Sequence, residues 1–319
     1  MTRLLTVLIL VIFAALPARG ESWPSKEVKL IVPFAAGATP DIVARMLADT
    51  LQAKLGQTFV VENKPGASGN LGTDAVAKAP PDGYTLGISI GGPLAINTLL
   101  FSKLPYDPGT DLAFITMLAT QPSALAINSA LNVENVSELI ALLRRNPGKY
   151  NFGSIGNGSL SHLAMEAIAL KSGTQMVHIP YPSSPQAVTA LMRGDVQLAC
   201  LPAIAITPQL GSGQIKILAI TTAERDPLLP GIPTLKEQGI DAEADAWMGL
   251  IAPAKTPAAI IDQIRDAVAS AITSPAIREK LATQLMSPIP TTPAQFRARV
   301  EADIARWTPV IKAADIKIN

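Results

Sequence analysis

The stretch Val28–Leu47, VKLIVPFAAGATPDIVARML, limits what this chain can become more than any other. An apolar, β-branched run from Val28 to Val32 breaks at Pro33, passes through small residues from Ala35 to Thr39, and resumes at Pro40 with helical spacing. That order predicts strand, tight loop, helix. Proline at the first helical position has no N–H to leave unpaired, and Asp41 in the first turn suits the positive end of the helix dipole. The free amides of such a loop point into the space above the strand, where they can hold a carboxylate or phosphate without a charged side chain. Taken alone, the stretch reads as an ordinary βα turn of an α/β domain.

The same order recurs along the chain. A helix from Asp41 to Leu55 ends at Gly56, and a strand from Thr58 to Glu62 leads into a loop with Gly66, Gly69 and Gly72 that feeds the next helix. A strand from Thr85 to Ile90 is followed by a small-residue break and the helical Leu94–Leu100. Strands that end in glycine-rich loops and restart as helices predict an α/β fold built on mostly parallel, doubly wound sheets, with ligands outside the carboxyl ends of the strands. FITMLATQPSALAI, Phe114 to Ile127, reads as two strands around Pro122 that cross into a second lobe. There the opening order returns as NFGSIGNGSLSHLAMEAIAL: strand to Gly153, small-residue loop Ser154 to Gly158, and a helix capped by Ser159 or Asn157. Each lobe thus offers a helix N-terminus to a shared cleft, which favours anion binding more than either loop does by itself.

Other features set the surroundings. Residues 1–20, MTRLLTVLILVIFAALPARG, have a basic front, an apolar run and small residues before Glu21, as a secretory signal peptide cleaved near Gly20-Glu21 does. No cysteine follows the run to carry a lipid anchor, and the mature protein is expected to be exported. Losing Arg3 and Arg19 lowers the basic residues from 26 to 24 against 25 acids, a net charge of about −1. Such a balance gives no electrostatic ground for nucleic-acid binding. About 300 mature residues exceed what one core usually holds, so two lobes are expected. With 48% hydrophobic and 16% charged residues, both can bury ample apolar surface. The single Cys200 lies in VQLACLPAI and reads as a buried thiol.

Enzyme signatures are missing from the sequence. There is no G-x-S-x-G elbow, the glycines at 66, 69 and 72 do not match the dinucleotide fingerprint, and no GK[ST] marks a phosphate loop. Two histidines and one cysteine, far apart, make no metal-ligand cluster, so neither a metal nor another cofactor is expected.

The segments WPSKEVKLIVPFAAG..PDIVAR, VVENKPGASGNLGTDAVAKAPPDGYTL, LPYDP, NFGSIGNGSLSHLAMEAI, VHIPY and DAWMGLIAPAKTP together resemble the solute-binding proteins of tripartite tricarboxylate transporters, the Bug-type receptors. The resemblance runs in order over essentially the whole mature chain. It implies a type II periplasmic binding protein-like fold, with two α/β lobes joined by two hinge strands and a ligand cleft between them. Lobe I is expected over 21–122 and 223–319, and lobe II over 123–222. The implied function is capture, in the periplasm, of a small carboxylate (a di- or tricarboxylate, or an aromatic acid) by a monomer that delivers it to membrane permease subunits. Family positions that hold a ligand carboxylate correspond to Phe34, Ala36, Gly37, Ala38 and Thr39, and to Ser154, Gly156, Asn157, Gly158 and Ser159.

Departures from the family pattern bear on the ligand. Ala38 and Pro40 replace a glycine and a small polar residue, which stiffens the first loop. Leu201 stands where the family often has an Asp suited to an amino group, so a compact acid without an ammonium group is expected, with Leu201 and Trp247 allowing an apolar or aromatic middle. Ser183 adds a hydroxyl where the family has glycine. Among the other candidates, Ser89, Asn97 and Tyr181 are polar groups near the cleft loops. His162 either donates to the ligand or caps its own loop. Asp41, His178 and Trp307 read as structural. A sensing or binding role toward a different partner, and a hydrolytic enzyme, are the alternatives.

Overall fold

The computed structural model describes residues 23–318, so the expected signal peptide lies outside the described residues. In chain order the elements are β1 (Val28–Val32), α1 (Thr39–Leu55), β2 (Phe59–Asn63), α2 (Asn70–Ala77), β3 (Thr85–Ile90), α3 (Asn97–Leu100) and β4 (Leu112–Gln121). They continue as β5 (Ser123–Asn128), α4 (Val136–Arg145), β6 (Asn151–Ser154), α5 (Leu160–Ser172), β7 (Val177–Pro180), α6 (Ser184–Arg193), β8 (Leu198–Pro202), α7 (Ala203–Ile206) and β9 (Ile215–Ile220). The chain closes with β10 (Ala246–Pro253), α8 (Ala258–Ile272), α9 (Pro275–Ala282), β11 (Ser287–Pro288) and α10 (Pro293–Ala313).

These strands form two sheets, ordered β11-β4-β10-β3-β1-β2 and β7-β6-β8-β5-β9, and helices pack against both. Each contains a parallel block, β2-β1-β3 in the first and β7-β6-β8 in the second. The long strands beside these blocks are antiparallel: β10 against β3 and β4, and β5 against β8 and β9. The sheets are therefore more mixed than the βα pattern predicts, and the reason is topological. β4 carries the chain out of the first sheet and β10 brings it back beside β4, so the two must run in opposite directions. Pro122 alone separates β4 from β5 at the outward crossing.

Local sequence accounts for the helix ends. α1 stops where Gly56 takes a left-handed conformation, φ 71°, and its N–H donates to Gln52 O. The break after β3 is wider than an α-helical reading implies, since Gly92–Ile96 forms a π-helical turn before α3. α10 begins with a reciprocal cap between Thr292 and Gln295.

α10 joins the two hydrophobic cores. Phe296 and Val300, in its first half, pack with Phe114 and Trp247 beside the first sheet. Trp307, Val310 and Ile311, in its second half, pack with Leu163, Phe152 and Leu198 of the second. Trp307 is buried as expected, and so is the Cys200 thiol, whose pKa burial raises to about 12. Beyond the helix, Ile318 N–H donates to Leu100 O at 3.2 Å.

The glycine-rich loop before α2 shows why small residues are needed there. A Cβ on Gly72 would lie 2.6 Å from Pro33 Cα and 2.8 Å from Lys64 O, both backbone atoms, so α2 reaches the end of β1 only without a side chain. Gly72→Ala should destabilise the fold by about 1–3 kcal/mol. Urea unfolding checks this, and an unchanged midpoint would contradict the packing described.

Candidate functional site

The loops that follow β1 and β6 face each other across a cleft of about 550 Å³ between the sheets. The first is held from behind by Asp41. Its Oδ2 accepts the Gly37 N–H at 2.8 Å and Arg45 Nε at 3.0 Å, and its Oδ1 accepts Asn63 Nδ2 at 2.9 Å. Asn63 Nδ2 also donates to Phe34 O, so β1, α1 and β2 are tied through one carboxylate. Burial pushes the Asp41 carboxyl up, but the bonds from Arg45, Gly37 and Asn63 together outweigh it and hold the pKa below the ordinary carboxylate value. Asp41 is thus spent on the loop, as its structural reading expects. Ala38, the N-cap of α1, supplies no side-chain hydrogen bond; Pro40 has no N–H and the Asp41 N–H donates to Ala38 O at 2.9 Å, so the Thr39 N–H is the amide this helix start leaves open.

The second loop is held by two histidines. Gly158 N–H donates to His162 Nδ1 at 3.1 Å, and Ser154 Oγ lies 2.6 Å from His178 Nε2. The rings of His162 and His178 stack with centroids 3.7 Å apart, and His178 stacks in turn on Phe152. Gly156 N–H donates to Ser154 Oγ at 3.2 Å. His162 therefore caps its own loop, one of the two readings the sequence left open. Burial first, and the neighbouring His162 second, lower the His178 pKa to about 4. Of the two candidate caps, Ser159 is the one used: its Oγ accepts the His162 N–H.

Of the predicted residues, Phe34, Ala38, Thr39, Asn97, Gly156, Asn157, Gly158 and Ser159 line the cleft. The others stand behind it or beside it. Ala36 and Gly37 are exposed at the loop's outer turn. Ser89 is buried near Thr73, and Ser154 and His162 support the second loop. Tyr181 packs toward Gly153, and Ser183 is the N-cap of α6. Leu201 is buried in the second lobe's core with Ala187 and Val188, and it is the next residue, Pro202, that lines the cleft. Asn97 does not point free into the cleft, since its Nδ2 donates to Asn70 Oδ1 at 2.6 Å and to Ser68 O at 3.2 Å.

The cleft also contains residues the sequence reading missed: Ser68, Gln121, Ser123, Asp245 and Asp303, with Ile318 from the chain end. Asp245 and Asp303 belong to a charge cluster on the hinge side. Arg299 donates to Asp245 Oδ1 at 2.7 Å and to Asp303 Oδ1 at 3.1 Å, while Arg306 meets Asp303 at 2.8 Å and Glu243 at 3.1 Å. Trp247 Nε1 donates to Asp303 Oδ2 at 2.7 Å, and Thr120 Oγ1 to Asp245 Oδ2 at 2.6 Å. Burial raises the Glu243 pKa, against the lowering effect of Arg306. No cationic side chain is among the residues that line the cleft. Among the described residues no group of three or more His, Cys, Asp or Glu is placed to hold a metal, and no helix is long and apolar enough to cross a membrane.

With this geometry in hand, likeness to known proteins is informative. The tripartite tricarboxylate transporter family receptor (TctC) family matches residues 43–316. The chain belongs to this family. Protein BugT of Bordetella pertussis (strain Tohama I) is 35% identical over 324 residues, covering 100% of this chain and 99% of BugT. Among solved structures, the Rhodopseudomonas palustris protein Rpa4515 with adipate is 36% identical with a TM-score of 0.79, over 92% of this chain and 99% of that one. MatC (Rpa3494) of Rhodopseudomonas palustris, with bound malate, is 30% identical with a TM-score of 0.74, over 91% and 100% of the two chains. The two-lobe, type II binding-protein architecture expected from sequence is the architecture of this family.

Two outcomes follow for the loop supports. Asp41→Ala should lower stability by about 1–3 kcal/mol, because the Gly37 N–H and Arg45 lose a buried acceptor, and chemical denaturation reads the change. His178 is depressed from 6.5 to about 4 in the folded chain, so its contribution is complete above pH 6.5 and is lost as pH falls from there toward 4. Unfolding free energy measured across that window should fall with pH, and His178→Gln should flatten part of the slope.

Proposed function

We propose that this protein is a periplasmic receptor that captures a small carboxylate in the cleft and delivers it to the membrane permease of a tripartite tricarboxylate-type transporter, with no catalytic step. The observation that carries the reading is the pair of helix N-termini, α1 and α5, facing one cleft whose walls include no cation. An anion there is held by backbone amides and hydroxyls, which are fixed dipoles that need no counter-charge. Membership in the receptor family and the adipate and malate found in two relatives support the carboxylate. The groups that an enzyme would use as nucleophile and base, Ser154 with His178, are turned behind the loop and joined to each other.

On this reading Phe34, Ala38 and Thr39 and the loop from Gly156 to Ser159 hold the carboxylate, while Asp41, Ser154 and His162 keep those loops in place. The β4–β5 crossing and the return into β10 are the two hinge strands, with one lobe boundary kept at 122/123 and the other moved from the expected 222/223 to just before β10, because Leu235, Ala242 and Ala244 pack in the second core.

A thermal-shift panel of aliphatic and aromatic carboxylic acids tests the receptor reading. A true ligand at a hundred times its Kd stabilises the fold by about 2.7 kcal/mol, and a panel without any response would refute it. Ala38→Asp gives a sharper outcome, because stability and binding should move in opposite directions. An N-cap Asp can accept the Asp41 N–H, the capping amide that remains because Pro40 has none, and should stabilise by about 0.5 kcal/mol. It also places a negative charge where the ligand carboxylate sits, and calorimetry should show binding weakened by on the order of a hundredfold.

A further inference from the structure

The two ends of the cleft are chemically unlike. At one end stand the open N-terminus of α1 and the loop before α5. At the other, Gln121 pairs with Ala246 in the sheet register and Met248 pairs with Ile90, which places Asp245 beside the end of β4. β3 lies between β1 and β10, so about two interstrand spacings, roughly 10 Å, separate the α1 loop from the row that begins at Asp245. That is about the length of a six-carbon acid or of a benzene ring with para substituents.

The wall between these ends is apolar, with Ile90, Ile96, Trp247, Met248 and Ile155 along it. The charged and amide donors near the far end already serve the protein, which leaves the Ser123 hydroxyl as the neutral polar group of that end. Gln121 Nε2 donates to Gln284 O at 2.7 Å, Trp247 Nε1 to Asp303, and Arg299 is enclosed by Asp245 and Asp303. Asp245 and Asp303 line the cleft there, their side chains 8% and 5% exposed and their oxygens accepting from Arg299, Arg306, Thr120 and Trp247. In the surrounding cluster three acids, Glu243, Asp245 and Asp303, meet two guanidiniums, Arg299 and Arg306, leaving one formal negative charge in excess. A buried carboxylate needs several donors and tolerates a like charge poorly. The far end presents an excess of negative charge instead.

We infer that the ligand is a monocarboxylate, its single carboxylate at the paired helix N-termini and its other end apolar or bearing a neutral hydrogen-bond donor, so that a second terminal carboxylate is rejected by Asp245 and Asp303. This rests on the receptor reading and narrows its ligand class.

Calorimetry at neutral pH with matched acids tests it: hexanoate against adipate, and benzoate against terephthalate. In at least one pair the monoacid should bind about tenfold or more tightly than the diacid. Asp245→Asn keeps the shape and the acceptor for Thr120 while removing a charge, and should narrow that ratio several-fold by improving the diacid. Equal or tighter binding of the diacids to the natural protein would overturn the monocarboxylate assignment and leave the receptor reading standing. A ratio that does not move in Asp245→Asn would overturn the role given to Asp245. If none of the four acids binds, and a wider acid panel also gives no response, the receptor reading fails and this inference with it.

Discussion

The loops after β1 and β6 hold their shape because buried side chains behind them take up their polar backbone groups, and that constraint organises both halves of this molecule. In the first sheet the solution is one buried carboxylate. Asp41 takes the Gly37 amide, and through Asn63 the same group fixes Phe34. In the second sheet the solution is an imidazole stack, with His162 accepting from Gly158 and His178 joined to Ser154. The two devices share no residue type, yet each sits behind its loop and leaves the cleft side to backbone and hydroxyl groups.

The hinge side of the cleft obeys a different rule. There the protein buries charged side chains and must pair them, so Asp245, Arg299, Asp303 and Arg306 are locked together with Trp247 and Thr120. Removing either arginine would leave carboxylates in a half-buried site without their counter-charge. This cluster joins the segment returning from the second sheet to α10, so the same bonds that give the far end of the cleft its polarity also fix the position of the return strand.

Much of this was legible in the sequence because it is local. The strand, small-residue loop and helix order at Val28–Leu47 and again at Asn151–Leu170 is a short-range pattern, and Ser159 carries its own capping signal. Leu201 shows where such reading stops: adjacent strand residues face opposite ways, and the family position was transferred without knowing which face meets the cleft. Ser89, Ser154, His162, Tyr181 and Ser183 lie beside cleft loops in sequence but serve the layer behind them. Asp245, Asp303 and Gln121 could not be found by local pattern at all. They meet only because β10 returns antiparallel to β4 and α10 crosses over both, a consequence of pairing between segments more than a hundred residues apart.

α10 has a further consequence for how the molecule comes apart. Its first half completes the packing around Trp247 and Phe114, and its second half supplies Trp307 and Ile311 to the core around Phe152. One rigid rod is thus shared by two cores, and neither core keeps its full packing if the rod is displaced from the other. Damage to α10 is felt on both sides of the cleft at once, which couples the two halves into a single cooperative unit.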